Sequence, residues 1–124
     1  MNPPLALIVE DQALVAIDIE DEVSQVGFSV FIASTGQEAA RWLESHEPDV
    51  AIVDIILPDG DCVILARELV RRGAPFAIHS VRTEDEDVDE AFRAARAWIA
   101  KPSDIGDVVT AARKVLPGRF PAAA

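Results

Sequence analysis

Apolar residues in this chain come in two rhythms. Five short runs are nearly unbroken: Leu5-Ala6-Leu7-Ile8-Val9, Phe28 to Ala33, Val50-Ala51-Ile52-Val53, Phe76-Ala77-Ile78-His79 and Trp98-Ile99-Ala100. Runs of that length, rich in β-branched and aromatic residues, read as strands, Val50 to Val53 as a buried one. Between them the apolar positions thin to helical stripes. Ala16, Ile19, Val23 and Val26 share one face of the first such segment, Asp18, Asp21 and Glu22 lie largely on the other, and Gly27 ends it. Thr35-x-x-Glu38 is a capping box opening a second helix that runs to about Ser45, after which Pro48 leads into the third strand. Pro58-Asp59-Gly60 forces a turn before a helix bearing Leu65, Ala66, Leu69 and Val70, and Arg71-Arg72-Gly73 closes that helix. Thr83-x-x-Glu86 opens a fourth helix with Val88, Ala91, Phe92 and Ala95 inward, and the acid run Glu84 to Asp87 falls in its first turn, where carboxylates favour the helix dipole. Ile105, Val108, Val109, Ala112 and Leu116 stripe a fifth helix that Pro117-Gly118 stops, leaving residues 119–124 as a frayed tail.

Five strand-then-helix units with right-handed crossovers predict an α/β fold, a doubly wound parallel sheet covered on both faces. With 124 residues and no linker, one domain is expected over residues 1–124, its core at about 4–117. Half of the residues are hydrophobic and the mean hydropathy is +0.19, which fits a globular chain. The formal charge of −11 argues against nonspecific affinity for nucleic acid or anionic membrane and favours cations or basic partners. One cysteine, Cys62, forbids an internal disulfide and fits a reducing compartment. Met1-Asn2-Pro3-Pro4 carries no positively charged leader, and the apolar run after it is too short to span a bilayer, so a soluble cytoplasmic protein is expected.

The chemistry sits where the strands end. The first strand delivers Glu10 and Asp11, the third Asp54, the fourth Ser80, and the fifth Lys101 followed by Pro102. In an open parallel sheet, ligands bind in the crevice beyond the carboxyl ends of the strands, so these residues share one rim. Taken singly, each has an ordinary explanation as a turn acid, a helix cap or a solvated lysine. Together, three carboxylates in a small crevice repel one another unless a cation neutralises them. Magnesium suits an all-oxygen set, and no histidine or cysteine stands at the strand tips to favour zinc. Lys101 and Ser80 suit the oxygens of a phosphoryl group, and an aspartate is a recognised covalent acceptor. Asp54 is the acceptor of choice, since it stands alone on the central strand while Glu10 and Asp11 form a pair fit for the metal. His79 should face away from Ser80 as a core histidine, Trp42 flanks a helix, and His46 lies in a loop.

In this order the residues resemble the response regulator receiver family of two-component signalling: an acidic pair after the first strand, an aspartate after the third with Leu57-Pro58-Asp59-Gly60 behind it, a hydroxyl after the fourth, and Lys-Pro after the fifth with Trp98 three residues earlier. The resemblance spans essentially the whole chain. It implies the flavodoxin-like strand order 2-1-3-4-5. It further implies that Asp54 takes phosphate from a histidine kinase or histidine phosphotransfer protein. Asp11 and Asp54 would bind Mg2+ directly, Glu10 through water, and the Ile56 carbonyl would complete the protein ligands. Ser80 and Lys101 would hold phosphoryl oxygens. Ser80 and Trp98 would form the switch, with Trp98 turning inward to reshape the face of the fourth helix, fifth strand and fifth helix, which would also serve any dimer.

Some positions depart from the common pattern. Val81 replaces an alanine or glycine and narrows access to the acyl phosphate, Cys62 replaces a frequent glycine, and Ile56 and Arg82 fall where the family tunes the lifetime of the phosphoryl group. A dehalogenase-type hydrolase would need an aspartate at the position of Ile56, and a flavin module would have to cradle phosphate against Glu10 and Asp11. The alternative that stays open is a receiver-fold interaction module working without phosphorylation. With no output domain in the chain, the protein is expected to act by docking, whether to a separate kinase or effector, as an intermediate in a relay or as a phosphate sink, and to be a signalling phosphoprotein rather than an enzyme.

Overall fold

The structure is a computed structural model, which describes residues 3–60, 62–81, 89–101 and 110. Five parallel strands form one sheet in the order β2-β1-β3-β4-β5: β1 Leu5–Val9, β2 Ser29–Ala33, β3 Val50–Val53, β4 Phe76–Ser80 and β5 Ala97–Ala100. Three α-helices are described, α1 Ala13–Gln25, α2 Gly36–Leu43 and α3 Cys62–Arg72, with a 3-10 helix at Glu90–Ala94. This is the predicted doubly wound α/β arrangement, and the strand order is the one the resemblance implies.

Alternation along the strands sorts the core into two halves. Leu7, Val9, Ala51, Val53, Phe76 and Ile78 point to the side where α2 and α3 contribute Ala39, Leu43, Leu65, Ala66 and Leu69, and Phe92 of the 3-10 helix joins them. Ala6, Ile8, Val50, Ile52 and Ala77 point to the other side, onto Ile19 and Val23 of α1. Burying β3 and β4 on both faces explains why they read as unbroken apolar runs.

The helices end where the backbone requires glycine. Gly27 and Gly73 take positive φ of 105° and 67° just past α1 and α3, a conformation that costs a side-chain-bearing residue about 1 kcal/mol or more. Some predicted details shift. Val26 is half-buried beyond the end of α1, and Val70, expected on the inner face of α3, is 45% exposed, because Leu65, Ala66 and Leu69 already fill that face. The helix expected to run inward through Ala95 is, among the described residues, a 3-10 turn capped by Asp89, whose Oδ1 accepts the Ala91 N–H at 2.9 Å. Ala95 is already extended, at φ −59° and ψ 136°, and leads into β5, which begins at Ala97. The Thr83-x-x-Glu86 box, the acid run, Val88, Arg82, Pro102, the stripe from Ile105 to Leu116, the Pro117-Gly118 stop and the tail lie outside the described residues.

Candidate functional site

The same alternation that builds the core aims the rim. Ala6 and Ile8 continue to Glu10, Val50 and Ile52 to Asp54, and Ala97 and Ile99 to Lys101, so all three charged residues leave their strands on the α1 side. Register then sets Glu10 and Asp54 level and Lys101 two residues further along its strand, since Val53 pairs with Ile78 and Ile78 with Trp98. Ile8 pairs with Ile52 and Val9 with Val53, and the Asp54 N–H donates to the Val9 carbonyl at 2.9 Å. On the far side the Lys101 N–H donates to the Ser80 carbonyl at 2.8 Å.

Lys101 closes the site. Its Nζ donates to Asp54 Oδ2 at 2.8 Å and to Glu10 Oε1 at 2.6 Å, and its side chain is only 12% exposed. The remaining oxygens face backbone: Asp54 Oδ1 accepts the Ile56 N–H at 2.9 Å, and Glu10 Oε2 accepts the Gln12 N–H at 3.1 Å. Asp11 is exposed beside them, and Glu10, Asp11 and Asp54 can each present an oxygen within 4.8 Å of the others.

Burial acts against both partners of the ion pair. It pushes the Glu10 carboxyl above the usual carboxylate range, opposed by the Lys101 ammonium and the Gln12 N–H. It also disfavours the charge on Lys101, but hydrogen bonds to Asp54 and Glu10 outweigh it and raise that amine's pKa. With all three acids ionised, one ammonium leaves a net double negative charge in an all-oxygen donor set, which fits a divalent hard cation.

Of the residues singled out in the sequence, Glu10, Asp11, Asp54 and Lys101 converge here. Ser80 is fully buried at the end of β4. Ile56 and Val81 are exposed apolar residues after β3 and β4, and Arg82 lies outside the described residues. Trp98 pairs with Ile78 and packs on the α3 side, opposite Ile99, as alternation requires. His79 is buried on the α1 side, and burial, followed by the nearby Lys101 charge, pushes its pKa down to about 4 against a smaller opposing effect of Asp54. Periodicity could not reveal two further contacts that hold the loop after Asp54. The Cys62 thiol donates to the Ile55 carbonyl at 2.7 Å, and Asp59 accepts backbone N–H groups of α2. Burial raises the Cys62 pKa, so it stays a thiol donor.

No helix among the described residues is long and apolar enough to cross a membrane. Residues 6–113 match the response regulator receiver domain. The transcriptional regulatory protein PdtaR of Mycobacterium tuberculosis is 33% identical over 112 residues, covering 88% of this chain and 55% of that protein. The transcriptional regulatory protein PhoP of Escherichia coli is 33% identical over 106 residues, covering 83% of this chain and 48% of that protein. The chain thus spans about half the length of these curated relatives, whose names place them in transcriptional regulation. Among solved structures, the response regulator TrrA of Thermotoga maritima, in complex with Mg(2+)-BeF, superposes with a TM-score of 0.79 at 21% identity, over 91% of this chain and 99% of that one. A CheY-like receiver domain from Methylobacillus flagellatus gives 0.77 at 23%, over 92% and 99%. An acid pair, an aspartate and a lysine brought together at the ends of β1, β3 and β5, on a sheet ordered 2-1-3-4-5 and matched over residues 6–113, place this chain in the response regulator receiver family.

Proposed function

We propose that the protein is a phosphoryl-accepting switch of a two-component or phosphorelay system. In this reading Asp54 takes the phosphoryl group of a phosphohistidine on a histidine kinase or histidine phosphotransfer protein. The carrying observation is the position of Lys101 Nζ, bonded to both Asp54 and Glu10 with a third carboxylate, Asp11, close by. An Asp54 carboxylate oxygen attacks phosphorus, the P–N bond of the donor breaks, and the electron pair stays on the imidazole nitrogen. Lys101, already at the acceptor oxygen, turns from carboxylate to phosphoryl oxygen, and the Ser80 hydroxyl donates to another.

Asp11 and Asp54, the Ile56 carbonyl and, through water, Glu10 would hold Mg2+. Bound there, the cation neutralises the charge that carboxylates and phosphoryl group would otherwise crowd into one crevice. The result is a signalling phosphoprotein rather than a turnover enzyme. Its changed surface would include Trp98 and serve a separate effector or a second copy through the face around β5. Ile56 and Arg82 are assigned to tuning the phosphoryl lifetime, and Val81 to limiting access to the acyl phosphate. A receiver module indifferent to phosphorylation would have no need of the charged set retained here.

Acetyl phosphate with Mg2+ should label the protein stoichiometrically, and Asp54→Asn should abolish the label. Persistent label in that variant would sink the acceptor assignment. Asp11→Ala should weaken Mg2+ binding by at least about tenfold by calorimetric titration, since an under-coordinated ion loses one direct ligand. Unchanged affinity would remove the acid pair as the metal site.

A further inference from the structure

Asp59 belongs to the loop between β3 and α3, yet its carboxylate bonds another element. Oδ1 accepts the Gly36 N–H at 3.1 Å and Oδ2 the Gln37 N–H at 2.9 Å, the first two residues of α2. Thr35 Oγ1 takes the Glu38 N–H at 3.0 Å, and the first helical bond runs from the Ala39 N–H to the Thr35 carbonyl. The N–H groups that a helix start leaves open are therefore shared between a local residue and one from 22 positions away. The negative carboxylate also suits the positive end of the helix dipole.

A cap of this kind joins two loops as well as ending a helix. The chain arriving at α2 comes off β2, where the Ala33 carbonyl accepts the Glu10 N–H at 2.9 Å. The chain carrying Asp59 comes off β3, and β1, which delivers Glu10 and Asp11, lies between those two strands. Between Asp54 and Asp59 the loop is held at several points. The Ile56 N–H donates to Asp54 Oδ1, the Ile55 and Leu57 side chains are buried, the Ile55 carbonyl takes the Cys62 thiol, and the Gly60 N–H donates to the Leu57 carbonyl at 3.2 Å. Asp59 is the point at which that loop is tied to the opposite side of the site.

We infer that Asp59 is a positioning residue: by bonding the first turn of α2 it holds segment 55–58 at the height where the Ile56 N–H reaches Asp54 and the Ile56 carbonyl faces the acid cluster. The first half rests on geometry alone, and the second, concerning the carbonyl, rests on the cation reading proposed above. The bonds need an acceptor with two oxygens, so asparagine substitutes in part and alanine not at all.

The test has a metal-free arm and a metal arm. Without Mg2+, Asp59→Ala should speed amide exchange at Gly36 and Gln37, and also at Ile56, by about fivefold, as expected where a segment loses one cap's worth of local stability. Asp59→Asn should give a smaller increase at all three. With Mg2+, Asp59→Ala should weaken binding about tenfold, the low end for losing a group that supports a metal ligand, and Asn should restore part of it. Faster exchange at Gly36 and Gln37 with Ile56 unchanged in both variants would make Asp59 a helix cap only and overturn the inference. Unaltered Mg2+ affinity in Asp59→Ala beside faster Ile56 exchange would overturn its second half. If the unsubstituted protein binds no Mg2+, the cation reading fails, and the positioning role is decided by Ile56 exchange alone.

Discussion

The strand β3 is bracketed by two aspartates, Asp49 before Val50 and Asp54 after Val53, and they do opposite work. Asp49 is tied to backbone. Its Oδ2 accepts the Leu5 N–H at 2.8 Å while its own N–H donates to the Leu5 carbonyl at 2.8 Å, a two-way clasp that starts the β1–β3 pairing. Asp54 is tied to backbone through one oxygen only, and the other faces the ammonium of Lys101. A backbone amide cannot leave, but a lysine side chain can turn to another anion. In the function proposed for Asp54 an exchangeable partner is what sets it apart from Asp49, and residue type alone does not decide that.

The sharpest separation of the two comes from labelling with acetyl phosphate and Mg2+. Asp49→Asn should retain the label that Asp54→Asn loses, and a loss in both would mean that labelling reports folding rather than the acceptor. Next in size is the acid response of the Asp54 end, where His79 lies on the adjacent strand. Its folded pKa is depressed from 6.5 to about 4, chiefly by burial, so the unfolded chain takes up the proton first. Stability should therefore be present above about pH 6.5 and fall as the pH drops toward 4, by on the order of 3 kcal/mol. Glu10, whose raised pKa acts in the opposite sense, loses stability as the pH rises through its folded value. Comparing urea midpoints of the unsubstituted protein and His79→Leu at pH 7.5 and 4.5 isolates the histidine, and equal drops in both would refute its part.

Removing the clasp is a smaller perturbation. Asp49→Ala should cost about 1 kcal/mol, the net value of one such hydrogen bond, with Mg2+ affinity unchanged. A weakened metal site would show that the two ends of β3 are not independent. The smallest signal is optical. In a Trp42→Phe background, beryllofluoride with Mg2+ should alter Trp98 emission, and Ser80→Ala should reduce the change. Constant emission with binding confirmed separately would sever Trp98 from the Asp54 end.

The strands and the rim residues were legible because sheet burial, most complete in β1, β3 and β4, leaves apolar runs whose ends can be counted, whereas the strand order followed only from the family resemblance. What stayed hidden depends on partners distant in sequence. Thr35 was readable as a cap from the spacing to Glu38, although the Glu38 side chain in fact bonds the Ser34 N–H at 2.7 Å, one residue earlier than a strict box places it. Asp59 reads as a turn residue and serves a helix whose first residue precedes it by 23 positions. Lys101 could be placed on the rim but not paired with Glu10 across 91 residues. Val70 fell at helical spacing and still faces outward, since a stripe's width follows from what packs against it.

The aromatic residues of α2 and its exit carried no hypothesis in the sequence, and in the fold they form a ladder. Phe31 of β2 stacks on Trp42 at 5.1 Å and 11°, and Trp42 stacks on the His46 ring at 4.5 Å and 1°, with His46 Nδ1 2.9 Å from the Trp42 carbonyl. A proton above the face of an indole experiences its ring current. The carbon-bound protons of His46 should resonate upfield of those in an unstructured chain, and any fraying of the α2 exit that slides the imidazole off Trp42 will move them. The helix therefore carries a native magnetic gauge of its own C-terminal turn, readable without label or substitution.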